Sequence, residues 1–370
     1  MVQQLFQKMK ILVIMKRFGS AKDMVMENFG RQIRLFEPLA KKHKIDFLCP
    51  DYIKKESKII KRNGLRFIVK PITFFSTGKF MLYLNSLIKK EKYNLIVATT
   101  DPLVGIMGYY YSKKFKIPLI YDLQDNFEIY DTYKIPFIGY LDKKIIKKAD
   151  IVLTVSESLK KYASEFRVKK SYVIQNGVDL EFFKVLDKKK SRKKLKLPLD
   201  IKIIVYIGYL RNLKGFDIMV DALHKVRKKY PDAYLLLSGK VGKGIDIKQE
   251  NVIYMKLAKR QDVVSGINAA DVAILPNPDN NFARYCFPYK IVEYMACNAP
   301  IVATDVGDVS LLLKKYKGSV CRPDDPEDLA VKIISKLKEN KKVNYSKDIK
   351  NLTWEKLAKK IDKIITGIYE

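Results

Sequence analysis

With 370 residues, of which 48% are hydrophobic, the chain is long enough for two domains with a sizeable core, and this composition disfavours extensive disorder. Its net charge of +32 implies an acidic partner (nucleic acid, anionic lipid or a phosphorylated substrate), or else a solvated basic surface without a specific partner. Two histidines and four cysteines without a C-x-x-C pair leave little room for a Ser-His-Asp triad or a zinc site, so no metal is expected. Because the sequence shows no leader-type segment and no apolar window of about 18 residues, we expect a cytoplasmic protein.

The chain opens with the pattern of a βαβ unit. Residues 9–15 predict a strand, residues 25–42 a long helix and residues 45–48 the next strand. The Gly19–Ser20 pair lies between the first strand and the helix, where α/β proteins bind phosphate or sugar. Gly19 is therefore a candidate donor-binding residue, and a plain turn is the alternative.

A basic and aromatic stretch follows. Residues 51–75 combine lysines with isoleucine and phenylalanine, and residues 80–90 have the spacing of an amphipathic helix. Basic residues beside apolar ones are typical of an interface helix that contacts an anionic membrane. A solvated helix face explains the same pattern, so both interpretations stay open.

Short apolar strands at residues 95–98, 119–121 and 151–155 alternate with helices, which predicts a doubly wound parallel sheet. Gln124 and Asp125 follow the second of these strands, at the end where α/β sheets place their ligands. Gln124 can orient a substrate but cannot titrate, whereas Asp125 is the adjacent candidate for proton transfer. Asp125 serves equally well as the cap of the next helix. We regard both residues as the candidate catalytic pair.

A lysine-dense stretch at residues 184–200 predicts a linker, and a second α/β unit begins at residue 201. Its first strand, residues 203–207, is followed by a glycine loop and a helix at residues 216–229. Arg211 and Lys214 project from this loop, where a diphosphate would lie at the N-terminus of the helix. A further glycine loop, residues 239–244, is predicted to be flexible.

Residues 284–307, RYCFPYKIVEYMACNAPIVATDVG, indicate a loop, a short helix, a turn and a strand. Pro288 suits the first helical position, and Asn298 ends the helix. Lys290 would then lie in the first turn, where the helix dipole disfavours a cation unless an anion binds nearby. A surface ion pair between Lys290 and Glu293 is the alternative interpretation.

The segment PYKIVEYMACNAPIVATDVGD resembles the donor-site signature of the retaining glycosyltransferase family 4. The segments YDLQDNFE, VIQNGVD and GYLRNLKG resemble further family segments, so that most of the chain is covered. The resemblance implies the α/β GT-B fold, in which two Rossmann-like domains face a central cleft. The expected parts are residues 1–183 (acceptor domain), 184–200 (linker), 201–346 (nucleotide-sugar domain) and 347–370 (a helix crossing back to the first domain).

The resemblance also assigns roles in donor binding. Glu293 matches the glutamate that holds the ribose hydroxyls, and Lys214 matches the lysine that binds the diphosphate. Tyr209 stands where the family often has an arginine, so Arg211 is the expected substitute. Two further departures are Tyr285, in place of a glutamate that contacts the sugar, and Gln124, in place of a histidine.

The implied function is retaining transfer of a sugar from a UDP- or GDP-linked donor to a hydroxyl of a glycan or lipid-linked acceptor, without metal or other cofactor. Cell-surface glycan or glycolipid synthesis at the inner face of the membrane is the expected setting. A basic nucleic-acid-binding protein is the alternative class, disfavoured because no helix-turn-helix, zinc-finger or RNP-like segment is present. An epimerase or a non-catalytic relative on the same fold is a further alternative.

Overall fold

The computed structural model describes residues 8–19, 22–167 and 170–368. Its internal contacts divide the chain into two compact units, residues 1–175 with 354–370 and residues 176–353. Each unit is built around its own largely parallel sheet with helices between the strands. This division gives two α/β units, as the sequence predicts.

The first unit contains an eight-stranded sheet and a separate two-stranded hairpin. Its strands are β1 (Lys10–Ile14), β2 (Phe18–Gly19), β3 (Lys22–Asp23), β4 (Lys44–Asp51), β5 (Lys58–Arg62), β6 (Leu65–Pro71), β7 (Leu95–Thr99), β8 (Leu119–Leu123), β9 (Ile151–Thr154) and β10 (Ser171–Val173). The sheet order is β10-β9-β8-β7-β1-β4-β6-β5, and only β5 runs antiparallel to its neighbour. Because the chain leaves β1 toward β4 and later returns to β7 on its other side, the topological switch point lies between β1 and β7.

The helices of the first unit differ from the predicted ones near the N-terminus. They are α1 (Arg31–Phe36), α2 (Thr77–Glu91), α3 (Pro102–Phe115), α4 (Ile138–Lys148) and α5 (Glu157–Ser164). The long helix expected at residues 25–42 is wrong: α1 has six residues and gives way to a 3-10 helix, Pro38–Lys41. Pro38 has no N–H for the helical ladder, and this explains the break.

Most of the stretch at residues 51–75 is a hairpin rather than an interface helix. Strands β5 and β6 pair across Asn63 and Gly64, whose φ values are 50° and 77°. Two consecutive residues with positive φ form the tight turn that matches the twist of paired strands, and Asn-Gly is its preferred sequence. The helical part of the basic region is therefore confined to α2.

The second unit has a six-stranded, fully parallel sheet. Its strands are β11 (Lys202–Ile207), β12 (Ala233–Ser238), β13 (Val252–Tyr254), β14 (Val272–Leu275), β15 (Ile301–Thr304) and β16 (Val320–Cys321), in the order β13-β12-β11-β14-β15-β16. The central strands are buried on both faces, which accounts for their continuous apolar sequences. The chain reverses its direction of growth between β11 and β14, so the switch point of this sheet lies there.

The helices of the second unit include one inside the predicted linker. They are α6 (Lys188–Lys194), α7 (Phe216–Arg227), α8 (Arg260–Ala269), α9 (Asn281–Tyr285), α10 (Tyr289–Ala296), α11 (Gly307–Leu313), α12 (Pro326–Glu339) and α13 (Ser346–Ile349). On α6, the buried Arg192 donates to the Ala269 carbonyl (2.9 Å) and pairs with Asp271 (2.8 Å). Residues 184–200 therefore belong to the second unit. This segment has little apolar periodicity, and the polar contacts of Arg192 with Ala269 and Asp271 hold it in place.

The last helix, α14 (Trp354–Thr366), belongs to the first unit. Its Asp362 accepts from His43 Nε2 (2.8 Å) and pairs with Lys42 (2.9 Å), and its Lys360 donates to the Val173 carbonyl (3.0 Å). Helix α13, which overlaps the start of the segment predicted at residues 347–370, stays in the second unit. The boundary thus lies just before Trp354.

We expect Gly215→Ala to destabilise the second unit. Gly215 has φ 78°, and a Cβ built there would lie 1.8 Å from the Pro276 carbonyl oxygen. Strain and overlap together predict a loss of about 3 kcal/mol in the free energy of unfolding. Gly78→Ala is the control, because nothing lies within 4 Å of its Cβ position and its effect should stay below about 1 kcal/mol. Urea denaturation measures both, and equal midpoints for the two variants would contradict the packing of Gly215.

Candidate functional site

The loop at residues 208–215 leaves the carboxyl end of β11 at the switch point of the second sheet. It is tied to the glycine loop at residues 239–244, because Leu210 N donates to Lys240 O (2.8 Å) and Gly242 N to Leu210 O (2.9 Å). A Cβ on Gly239 would lie 2.0 Å from the Gly208 carbonyl oxygen, so only glycine permits this approach. The second loop, predicted to be flexible, is therefore held against the first by backbone hydrogen bonds.

Lys290 points back at the end of β11. Helix α10 begins at Tyr289 with Pro288 as its N-cap, one position earlier than the first helical position that the sequence suggested for Pro288. The Lys290 ammonium donates to Tyr206 Oη (3.0 Å) and lies 4.3 Å from the centroid of that ring. A Cβ on Gly208 would lie 2.6 Å from Lys290 Nζ. The cation thus occupies the space that a side chain at residue 208 would fill.

Burial lowers the pKa of Lys290 to about 8, against the opposing influence of Cys286 and Glu293. A lysine in this range changes its protonation near neutral pH, and a nearby anion would favour its charged form. Glu293, on the same helix, thus raises the pKa of Lys290. The position of the Lys290 ammonium is set by its hydrogen bond to Tyr206 and by the space beside Gly208.

Lys214 lies on the loop between β11 and α7. It is the last residue of a short 3-10 helix, Asn212–Lys214, and its ammonium lies 4.7 Å from the Phe282 ring centroid. Burial raises the pKa of Tyr206 to about 12, while the charge of Lys214 acts in the opposite direction. Lys214 and Lys290, far apart in sequence, therefore both influence Tyr206, Lys214 by its charge and Lys290 by a hydrogen bond.

Arg211 and Tyr209 form a second group on the loop. The Arg211 guanidinium lies 5.2 Å from the Tyr209 ring centroid, and Lys240 Nζ lies 5.4 Å from the same ring. Arg211 is exposed and Tyr209 is half-buried. Arg211 and Lys240 thus both make cation–π contacts with the Tyr209 ring, which stabilise their positive charges.

The structure places Glu293 one helical turn after Lys290, on the same helix and half-buried. Tyr285, at the position of the family's sugar-contacting glutamate, is the last residue of α9 and is also half-buried. The assignment of Glu293 to the ribose hydroxyls stays a prediction.

The Asn176–Gly177 pair, a sequence typical of tight turns with positive φ, does not form such a turn. Neither Asn176 nor Gly177 has a positive φ. Instead, the buried side chain of Asn176 donates to the Phe287 carbonyl, directly before the Pro288 cap of α10. Asn176 therefore helps to fix where α10 begins, a contact between distant segments that local turn propensity does not indicate.

In the first unit, Gln124 and Asp125 follow β8 at the carboxyl edge of the sheet. Tyr130 donates its hydroxyl to Asp125 Oδ2 (2.7 Å). The cap of the following 3-10 helix is Asn126, which accepts from Glu128 N (3.0 Å). The alternative that Asp125 caps this helix is therefore wrong.

Sequence reasoning missed an ion pair at the switch point of the first sheet. Lys16 Nζ lies 2.7 Å from Asp101 Oδ2 and 5.9 Å from the ring centroids of both Tyr52 and Tyr130. Thr100, before Asp101, has φ 83°, which is strained for a β-branched residue. The Asp-Pro pair at the start of α3 was the available signal, because Asp101 caps that helix.

Gly19 lies between β1 and α1 of a βαβ unit, as the sequence predicts, but in a hairpin rather than in a glycine loop next to the helix. Gly19 ends β2 in the small β2–β3 hairpin, and α1 begins only at Arg31. A Cβ on Gly19 would lie 3.1 Å from the side chain of Met24. Ser20 lies outside the described residues, and a role for Gly19 in donor binding stays a prediction.

Within residues 8–19, 22–167 and 170–368, no group of three or more His, Cys, Asp or Glu side chains is arranged to hold a metal ion. In the same part of the chain, no helix has the length and hydropathy needed to span a bilayer.

Two family descriptions match the chain in turn. Glycosyltransferase Family 4 matches residues 33–182, and Glycosyl transferases group 1 matches residues 201–339. The chain belongs to the group 1, family 4 glycosyltransferases. The resemblance stated from sequence is thereby confirmed, and the second match contains the loop and the helix that carry Lys214 and Lys290.

Curated relatives of this glycosyltransferase are distant. TuaC of Bacillus subtilis, assigned to teichuronic acid biosynthesis, is 28% identical over 51% of this chain and 47% of its own length. The uncharacterized glycosyltransferase MJ1178 of Methanocaldococcus jannaschii is 24% identical over 75% and 77%. D-inositol 3-phosphate glycosyltransferase of Jonesia denitrificans is 23% identical over 51% and 49%. The chain thus spans about half the length of the first and third of these relatives.

Solved structures share the fold over nearly the whole chain. Sucrose-phosphate synthase from Thermosynechococcus elongatus has a TM-score of 0.77 at 18% identity, covering 98% of this chain and 99% of that one. Anabaena Alr3699/HepE, in complex with UDP and glucose, has a TM-score of 0.73 at 18% identity, covering 97% and 100%. The predicted GT-B fold class is confirmed.

We expect Lys290 to titrate near pH 8, because its ammonium is buried against Tyr206 and Gly208. Trace acetylation at a series of pH values, with peptides read by mass spectrometry, gives the midpoint of reactivity for each lysine. Lys225, whose pKa is raised by its hydrogen bond to Glu327, is the control and should show a higher midpoint. Equal midpoints for Lys290 and Lys225 would contradict the burial of the Lys290 ammonium.

Proposed function

We propose that this protein transfers a sugar from a nucleoside diphosphate sugar to a hydroxyl group of a glycan or lipid-linked acceptor, with retention of the anomeric configuration. The observation that carries the proposal is the Lys290 ammonium held 3.0 Å from the buried Tyr206 hydroxyl at the switch point of the second sheet, with Lys214 on the adjoining loop. Open α/β sheets bind their ligands at such points. Lys290 is half-buried, and an anionic ligand would compensate the desolvation that disfavours its charged form.

The chemistry of the donor fits this arrangement. Breaking the bond between the sugar and its phosphate places positive charge on the ring and leaves a diphosphate. Fixed cations stabilise that leaving group most strongly where water is partly excluded. Lys214, Lys290 and Arg211 supply the cations, and Glu293 would accept hydrogen bonds from the ribose. We propose no cofactor beyond the donor, and UDP is the first candidate because related structures contain it.

Acceptor binding is proposed for the carboxyl edge of the first sheet. Gln124 can donate and accept hydrogen bonds to orient a hydroxyl group, and Asp125 is held by Tyr130 (2.7 Å). The Lys16–Asp101 pair at the same edge offers a hydrogen-bond donor beside an acceptor. Because Gln124 cannot take a proton, the leaving phosphate is the proposed base for the acceptor hydroxyl. The name of TuaC supports a role in cell-surface glycan synthesis.

Lys214→Ala and Glu293→Ala should each abolish measurable binding of UDP or GDP while the fold is retained. Removing one partner of a buried charge interaction weakens binding by roughly 30-fold or more. Lys229→Ala removes the same charge as Lys214→Ala from an exposed position and should bind as the unaltered protein does. Isothermal titration of UDP and GDP into the unaltered protein and the three variants measures these affinities. Unchanged affinity in Lys214→Ala and Glu293→Ala would reject their roles in donor binding.

The alternatives give different results. A nucleic-acid-binding protein would show steeply salt-dependent affinity for DNA and no response to nucleotide-sugars. An epimerase would convert the donor sugar without an acceptor, and a non-catalytic relative would bind the donor without turnover. A glycosyltransferase binds the donor and releases the nucleoside diphosphate faster when its acceptor is present.

We also propose that the first unit contacts an anionic membrane surface. Phe74 and Phe75, just before α2, are 91% and 94% exposed, and Leu82 on the outer face of α2 is 70% exposed. Exposed lysines flank them along the same helix, at Lys79, Lys89 and Lys90. Apolar side chains beside lysines suit the acidic cytoplasmic leaflet, and this placement would bring a lipid-linked acceptor close.

Phe74→Ser combined with Phe75→Ser should reduce sedimentation with phosphatidylglycerol vesicles by roughly tenfold or more, because two exposed rings no longer insert. Leu311→Ser is the control, since Leu311 is 61% exposed but lies in the second unit. Sedimentation at low and high salt separates the apolar from the electrostatic part. Absence of binding by the unaltered protein at low salt would remove the membrane proposal and leave the donor proposal intact.

A further inference from the structure

The hydroxyl of Tyr206 links three parts of the second unit. Tyr206 lies on the central strand β11 and is fully buried, with 0% exposure. Its oxygen accepts from Lys290 Nζ (3.0 Å), and its own proton is donated to the Tyr209 carbonyl (3.4 Å). Strand β11, the loop that follows it and helix α10 therefore meet at one phenol.

A buried ammonium needs such a partner. Its N–H groups lose part of their water in the half-buried site, and each one left without an acceptor lowers stability. Tyr206 offers both an oxygen and a ring face, with the ring centroid 4.3 Å from Lys290 Nζ. Because the hydroxyl proton points at the Tyr209 carbonyl, the oxygen presents a lone pair to Lys290.

We propose that Tyr206 is a positioning residue for donor binding, which holds the Lys290 ammonium at the end of β11 in its charged form. This inference rests on the proposed function, since it takes Lys290 as a ligand of the diphosphate. Tyr206 itself needs no contact with the donor. It acts by fixing the place of a cation that would otherwise withdraw along its flexible side chain or lose its proton.

The titratable groups around Lys290 belong to several elements. Cys286 precedes α10, Glu293 lies on α10 and Tyr206 lies on β11, while Lys214 acts on the same phenol from the loop. Cys286 and Glu293 favour the charged form of Lys290 and are unaltered in the variants below. If the pH dependence of nucleotide affinity changes in Tyr206→Phe, the change is therefore due to the missing hydroxyl and not to Cys286 or Glu293.

The first test is Tyr206→Phe, which keeps the ring and removes the oxygen. We expect UDP or GDP, whichever the protein binds, to bind roughly tenfold more weakly at pH 7.5, as for a lost hydrogen bond to a charged group. Affinity should also begin to fall at a lower pH than in the unaltered protein, because the ammonium has lost an acceptor. Isothermal titration between pH 6.5 and pH 9 measures both effects.

Tyr294→Phe is the matched control. Tyr294 is equally buried, at 0% exposure, and its hydroxyl accepts from the backbone N–H of Ile207 (3.0 Å) on the same strand. This variant loses a buried hydrogen bond of β11 without removing the acceptor of Lys290. We expect lower thermal stability with unchanged nucleotide affinity and an unchanged pH profile.

A double-mutant cycle shows whether Tyr206 acts through Lys290. In a Lys290→Met background, Tyr206→Phe should have no further effect on nucleotide affinity, because the residue that it positions is absent. An equal loss in both backgrounds would overturn the inference, and so would a Tyr206→Phe variant that binds and titrates as the unaltered protein does. If Lys290→Met alone binds normally, the donor assignment of Lys290 fails instead.

Gly208→Ala provides a second route if Tyr206→Phe does not fold. The added methyl would lie 2.6 Å from Lys290 Nζ and 3.4 Å from Tyr206 Oη, so the ammonium must move while both side chains remain. The φ of Gly208 is not positive, and alanine therefore fits the backbone. We expect the same roughly tenfold loss of affinity, as for the lost hydrogen bond; normal affinity with this variant would likewise overturn the inference.

Discussion

The Lys290 ammonium, buried against the Tyr206 phenol, is the interaction on which this account of the second unit depends. It requires glycine at residue 208, because a side chain there would occupy the place of Nζ. It also requires α10 to begin at Tyr289, which the hydrogen bond from Asn176 to the Phe287 carbonyl supports. The position of the Lys290 ammonium thus depends on three residues that are distant from it in sequence: Tyr206, Gly208 and Asn176.

The two sheets are both doubly wound but differ in charge at their switch points. In the first unit the cations there are matched by carboxylates: Lys16 by Asp101, and the buried Arg17 by Asp23 and Asp51. In the second unit, the Lys214 and Lys290 ammonium groups lie over aromatic rings, 4.7 Å from the Phe282 centroid and 4.3 Å from the Tyr206 centroid. In the proposed function, the diphosphate binds at the second sheet and a hydroxyl-bearing group at the first.

Much of the fold was predictable because apolar strands and helical spacing recur along the chain. The failures have local causes: Pro38 interrupts a helix, Asn63 and Gly64 turn a hairpin, and Arg192 anchors a segment of lysines by hydrogen bonds rather than by apolar contacts. At the site, the sequence singled out Lys214 and Lys290 but did not reveal Tyr206. A tyrosine within an apolar strand is indistinguishable from a core residue until its hydroxyl partners are known.

The role of Lys290 in donor binding can be tested by a crystal structure of the protein with bound UDP. Phosphate oxygens should then lie within about 3.5 Å of Lys290 Nζ and close to Lys214, with the Tyr206 hydroxyl still bonded to Lys290. A nucleotide bound away from the end of β11, with Lys290 unchanged and uninvolved, would contradict it.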